Sequence, residues 1–153
     1  MSMKNPPQDR DAISRARFFL AKAVACPAEE RGDCEAFMEA AIVFARAAMH
    51  RFQKEHQHHN GWQAWWDSLL GNPAVDFFRK ERNLILKEAP PKLGQKLSMP
   101  FIGPGGKSQP APVAQLACEF YYFEDPAMLA TDTIATHLDA LEALLMEAKQ
   151  RFG

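Results

Sequence analysis

Apolar residues recur at helical spacing over most of the chain. Between Asp9 and Cys26, Ile13, Ala16, Leu20, Ala23 and Val24 share one side and Pro27 closes the run, which predicts a first helix. Asp33 is placed to cap a second, longer helix reaching about Glu55, with Phe37, Ala41, Phe44, Ala48 and Phe52 as its apolar stripe. Its opposite face collects Glu35, Glu39, Arg46, His50 and Gln53, a polar register expected to meet solvent or a partner. The linker from His56 to Gly61 breaks the pattern, and Trp62, Trp65, Trp66, Leu69 and Leu70 predict a short helix that Gly71-Asn72-Pro73 ends. Pro73 suits the first position of a further helix running to about Glu88, before Pro90-Pro91.

The helical period is lost between Lys92 and Pro112, where Gly103-Pro104-Gly105-Gly106 marks a loop or hairpin tip. Met99 to Ile102 and Leu116 to Phe123 flank it as two short strands, with Pro100 admissible only on an edge. A last helix to about Phe152 carries Ile134, Leu138, Leu141, Leu145 and Phe152 on one side. The expected architecture is mainly α: a single domain over residues 9–153, built as a bundle of about five helices with a small β-hairpin at 92–123 inserted before the last. Residues 1–8 are expected to be a flexible N-terminus.

Composition narrows the class of function. The 153 residues carry a formal net charge of -1, which excludes bulk polycationic binding to nucleic acid and confines any such site to a local patch. The N-terminal residues have no apolar core, and the longest apolar segment, Ala40 to Ala45, is far short of the roughly 20 residues that cross a bilayer. No secretion and no membrane association are expected. The odd set Cys26, Cys34 and Cys118 fits no zinc spacing, and a reducing, cytoplasmic setting suits it best. Charge is nonetheless segregated: from Arg79 to Lys107 seven basic residues meet two acidic ones, and from Ser108 to Ala148 seven acidic residues meet no Lys or Arg. The two segments either screen each other or leave a basic strip for phosphates.

The candidate chemistry lies in Phe77-Phe78-Arg79-Lys80-Glu81-Arg82-Asn83-Leu84-Ile85-Leu86-Lys87-Glu88. At about 100° per residue, Phe78 and Ile85 share a direction and Arg82 falls between Phe78 and Leu86, inside the apolar arc. A guanidinium there needs a carboxylate, carbonyls, water or a cavity opening. Glu81, also near that arc, allows a purely architectural ion pair. Asn83 and Lys87 point more nearly away from the core.

Long amphipathic helices, a short Trp-rich helix and then Phe-Phe-x-x-x-Arg-Asn resemble the HEPN superfamily of bacterial and archaeal helical bundles. In its nuclease members an Arg, a polar residue, three more residues and a His form a metal-independent RNA-cleaving site, usually shared across a homodimer. Arg82 and Asn83 match; Lys87 stands where that His would be, and neither Glu88 nor Ala89 supplies one. The resemblance implies a homodimer and a cytoplasmic RNA-binding or ribonuclease-derived role in defence, toxin–antitoxin or stress biology. Arg82, Asn83 and Lys87 then stand at the catalytic positions and Arg79 and Lys80 bind phosphate, with no cofactor and no metal. Proton transfer near neutral pH suits imidazole, whereas lysine, with an ordinary pKa of about 10.4, favours phosphate binding over hydrolysis. The alternative is a non-catalytic interaction or scaffold bundle with no nucleic-acid role.

Other candidates are weaker. His50 lies one turn from Arg46 and would approach Arg82 only across a dimer interface, or else is a solvated surface residue. His56, His58 and His59 have only Glu55 near them to complete a metal shell and read as a polar linker. His137 reads as packing or solvent-facing. Gly106-Lys107-Ser108 ends like a phosphate loop, but Phe101 stands where its first glycine belongs. Phe120-Tyr121-Tyr122-Phe123 offers base-stacking surface, yet strand packing is the commoner fate, and Glu119 and Glu124 repel phosphate.

Overall fold

A computed structural model describes residues 11–89, 92–95, 101–102, 108–109 and 120–152. Among them are five α-helices: α1 Ala12–Val24, α2 Arg31–His56, α3 Trp62–Asp67, α4 Pro73–Leu86 and α5 Ala130–Phe152. Short strands β1 Leu93–Gln95, β2 Phe101–Ile102, β3 Ser108–Gln109 and β4 Phe120–Tyr122 lie between α4 and α5. The expected mainly α bundle with a hairpin insert before its last helix is the architecture found. None of these helices is long and apolar enough to cross a membrane.

Local chemistry sets most of the helix ends. The Asp11 carboxylate accepts from the Ile13 N–H at 3.3 Å and starts α1. The Asn72 side chain accepts from Ala74 and Val75 at 3.0 and 3.2 Å, and Pro73 follows at the first position of α4. Gly61, at φ 84°, makes the left-handed step into α3. Asp33 is not a cap: a 3₁₀ turn at Ala28–Glu30 leads into α2, whose first turn already contains Asp33 beside the helix's positive end. α4 stops at Leu86 because Glu88 turns left-handed at φ 54°. The Glu88 and Ala89 N–H groups then donate back to the Ile85 and Leu84 carbonyls at 3.0 and 2.9 Å.

One cluster of buried residues draws on all five helices and on β4, with Phe78, Ile134, Leu138 and Leu141 fully enclosed. On α2 the buried stripe is Cys34, Met38, Ala41, Ile42, Ala45, Ala48, Met49 and Phe52, rotated from the expected one. Phe37 and Phe44 lie on its flank, stacked on Phe19 of α1 at 6.3 and 5.6 Å. The rotation turns the polar register of α2 towards α4. Trp62 and Trp65 close one end of the bundle against Phe52 and Phe152.

The insert pairs differently from the expected ribbon. β4 is antiparallel to β1, with Leu93 opposite Tyr122, Gly94 opposite Tyr121 and Gln95 opposite Phe120, while β2 pairs with β3. A Cβ on Gly94 would overlap the tip of the Tyr121 ring, so any larger residue there would force that side chain to move. Phe120 and Tyr122 are buried, the latter 5.4 Å from Phe77, so these two serve packing, while Phe123 is exposed. The 1–8 terminus, Cys118, Met99, Pro100, Lys96, Lys107, Glu119 and the 103–106 tip fall outside the described residues.

Candidate functional site

α2 and α4 pack with their polar edges facing, and the seam between them is divided by charge. At one end Glu35 and Glu39 of α2 and Glu81 of α4 border a cleft whose volume is about 20 Å³, room for about one water. Burial pushes the Glu81 carboxyl up, Glu124 adds to the shift and Lys92 opposes it; burial and then Glu35 push Glu39 up. The acids are thus charged against close neighbours, Glu39 against Glu35 and Glu81 against Glu124, and the cleft itself has room for about one water.

The other end is basic. Arg82, half-buried on α4, and Arg46, half-buried on α2, lie close enough for their charges to act on one another. Burial lowers the Arg46 pKa first, and the positive charges of Arg82 and then Arg79 lower it further. His50, one turn along α2, is pushed down by burial, by Arg46 and by Arg82, while a hydrogen bond with the Gln53 side chain acts the other way. No carboxylate pairs with Arg46 or Arg82 among the described residues. Two guanidiniums and an imidazole thus lie along the seam with no acid paired to them among the described residues.

Not all the sequence-selected residues join this group. Arg79 borders it but also binds Asp76 at 3.3 Å on its own helix. Lys80, Asn83 and Lys87 are exposed. With about 100° of turn per residue, Asn83 stands about 100° and Lys87 about 140° round the axis from Arg82. Arg82 and Lys87 therefore do not converge within one chain. Sequence reasoning left out Arg46 as a site residue and brought in His50 only through a second subunit. The signal for both was the four-residue spacing of the polar edge of α2, which acquires meaning only when α4 lies against it.

The remaining candidates have structural roles. His56 packs on Phe52 at 4.4 Å and His59 at 5.6 Å, and no three His, Cys, Asp or Glu side chains are grouped to hold a metal among the described residues. His137 stacks on Phe77 at 4.4 Å, and burial pushes its pKa down. Cys26 and Cys34 are buried thiols. A broader groove of about 580 Å³ between α1, α2 and α5 has mixed walls, Asp11 and Glu55 against Arg51 and Lys149. The segregated charges of the sequence are neutralised in part from elsewhere, since Asp139 and Glu142 bind Arg17 of α1. Comparison with protein-family models, curated proteins and solved structures gave no match.

Proposed function

We propose that this protein is an RNA-binding bundle of the HEPN-like, ribonuclease-derived kind, and that Arg46 and Arg82 together hold a backbone phosphate. The observation that carries this reading is that the half-buried Arg46 of α2 feels the positive charge of the half-buried Arg82 of α4, with no carboxylate paired to either among the described residues. Like charges at such a seam repel, and a phosphate dianion or diester placed between them removes the repulsion and accepts planar, bidentate hydrogen bonds. Arg79 borders the site, while Lys80 and Lys87 add positive field from the exposed side of α4. Asn83 lies beside them as a neutral donor to ribose or phosphate. The homodimer and the defence, toxin–antitoxin or stress role enter through the resemblance carried by Arg82 and Asn83, and the cytoplasmic setting through the odd set of cysteines.

The test is retention of mixed RNA on a filter over a range of salt concentrations. Wild type is expected to bind with a steep salt dependence, and Arg82→Ala and Arg46→Ala each to weaken binding and lower the salt slope by about 1. Absence of salt-sensitive retention would leave the scaffold role in its place. Arg82→Ala that fails to fold would make this residue architectural.

A further inference from the structure

We propose that the hollow between the first half of α1 and the second half of α2 binds a phosphate monoester carrying one aliphatic chain. The head sits between Arg15 and Arg51, and the chain lies on the apolar floor of the adjoining groove. The site shares no residue with the α2–α4 seam and does not rest on the RNA-binding reading.

The hollow follows from how the two helices meet. Phe19 of α1 stacks on Phe44 of α2 with the rings 5.6 Å apart and within 3° of parallel. Earlier residues of α1 then run beside later ones of α2, and Ala12, Arg15, Phe44, Ala47 and Arg51 enclose a cavity of about 370 Å³. The two alanines leave space that larger side chains would fill. No acidic side chain lines it among the described residues. The Arg15 guanidinium lies over the Phe44 ring, 5.7 Å from its centre, which holds it at the cavity wall. Both arginines also take part in other interactions within the fold, and five N–H donors on each leave groups for a ligand.

Ala12 and Arg51 also border the groove of about 580 Å³ between α1, α2 and α5, so the two spaces adjoin. That groove has Ile13, Phe52 and Leu145 as its apolar floor, and each volume falls in the range of roughly 300–1,000 Å³ typical of small-molecule sites. Its acids have partners of their own. Asp11 accepts from the Ile13 N–H at 3.3 Å and from the Ser14 hydroxyl at 2.8 Å, and Glu55 lies 3.9 Å from the His56 ring. These two carboxylates offset Lys149 and oppose an anion in the groove, which orients the ligand. The charged head goes to the all-basic hollow and the uncharged chain to the groove. A polyanion laid along both spaces would meet Asp11 and Glu55, whereas a ligand charged at one end only does not. A monoester suits the head because its roughly two negative charges and three terminal oxygens match two planar guanidinium forks.

Binding of octyl phosphate, kept below its micelle concentration, to the full chain is measured by isothermal titration calorimetry beside butyl phosphate, inorganic phosphate and octylammonium. Octyl phosphate is expected to bind, butyl phosphate to bind at least about 10-fold more weakly, and octylammonium not to bind. Arg15→Gln and Arg51→Gln should each weaken octyl phosphate by about 10-fold or more. Ala47→Trp, which keeps both charges and fills the hollow, should abolish binding, with circular dichroism confirming that the helices remain. The double variant Arg46→Ala/Arg82→Ala should bind octyl phosphate as wild type does, so failure of this site and failure of RNA binding are separate results. Equal affinity for inorganic, butyl and octyl phosphate overturns the chain's place in the groove. Unchanged binding by Ala47→Trp, or loss in the seam variant instead, overturns the location, and no binding by wild type overturns the proposal as a whole.

Discussion

Arg17 and Arg82 are both half-buried arginines facing a neighbouring helix, and their circumstances are opposite. Arg17 reaches from α1 to α5 and binds Glu142 at 2.6 Å and Asp139 at 3.0 Å. Burial works against its charge, but the hydrogen bonds and charges of those two carboxylates outweigh it, and its pKa rises. Arg82 meets Arg46 instead, and the pKa of Arg46 falls. Depth of burial does not separate the two cases. What separates them is the strip across the seam: two acids three residues apart on α5, against an arginine and a histidine four apart on α2. An arginine satisfied within the fold holds helices together, and one left facing a like charge is available to an anion from outside.

The strongest way to break this contrast is the double variant Arg46→Ala/Arg82→Ala. It is expected to weaken RNA binding by on the order of 10²-fold, since each charge-assisted contact is worth about 1.5–3 kcal/mol, whereas Arg17→Ala should leave binding unchanged. Equal losses in the two would erase the distinction. In denaturant titrations the ranking should invert. Arg17→Ala is expected to destabilise by up to ~1 kcal/mol, the range for exposed pairs, and Arg82→Met to leave stability unchanged or raise it. At the end of α4, Glu88→Gly should stabilise by about 0.5–1 kcal/mol, because glycine adopts the left-handed conformation without a Cβ clash. A fall in midpoint would show that Glu88 has a compensating contact.

The smallest expected effect is on pH dependence, and the two ends of the α2–α4 seam should respond in opposite directions. His50 in the folded chain binds a proton less readily than in the unfolded chain. Acidification through the ordinary imidazole range, near pH 6.5, therefore favours unfolding. Glu39 and Glu81 hold their protons to higher pH when folded. Their contribution is present below the ordinary carboxylate range and is lost as pH rises through the raised folded values. Stability followed downward from neutral pH should first fall and then partly recover. His50→Gln is expected to remove the fall, and Glu39→Gln with Glu81→Gln the recovery; identical profiles for all three would contradict the divided seam.

Features set by near neighbours were legible in the chain. Asn72-Pro73 announces the start of α4 because the cap and the fixed φ act within three residues. Ile134, Leu138 and Leu141 mark the inner face of α5 by spacing alone. Arg82 projects into the apolar arc of α4 by the same rule, and its half-burial agrees. Features set by distant neighbours were not legible. Leu93-Gly94-Gln95 has no strand alternation, and its pairing with β4 depends on the Tyr121 ring crossing a residue without a Cβ. Phe37 and Phe44 share a period with Ala41 and Phe52, yet they lie on the flank, stacked on Phe19 of α1. Arg46 and His50 look like solvent-facing polar residues until α4 covers one side of them. Glu88 in a left-handed turn carries no signal at all, because its conformation follows from how the preceding carbonyls are satisfied.

If an anion fills the proposed site between Arg46 and Arg82, the protein's persistence becomes tied to that ligand. An anion seated there binds the native chain and not the unfolded one, so occupancy shifts the folding equilibrium towards the native state in proportion to its concentration. Loaded molecules would then resist proteolysis and empty ones would be degraded first, and the cellular level of the protein would follow the supply of whatever it holds.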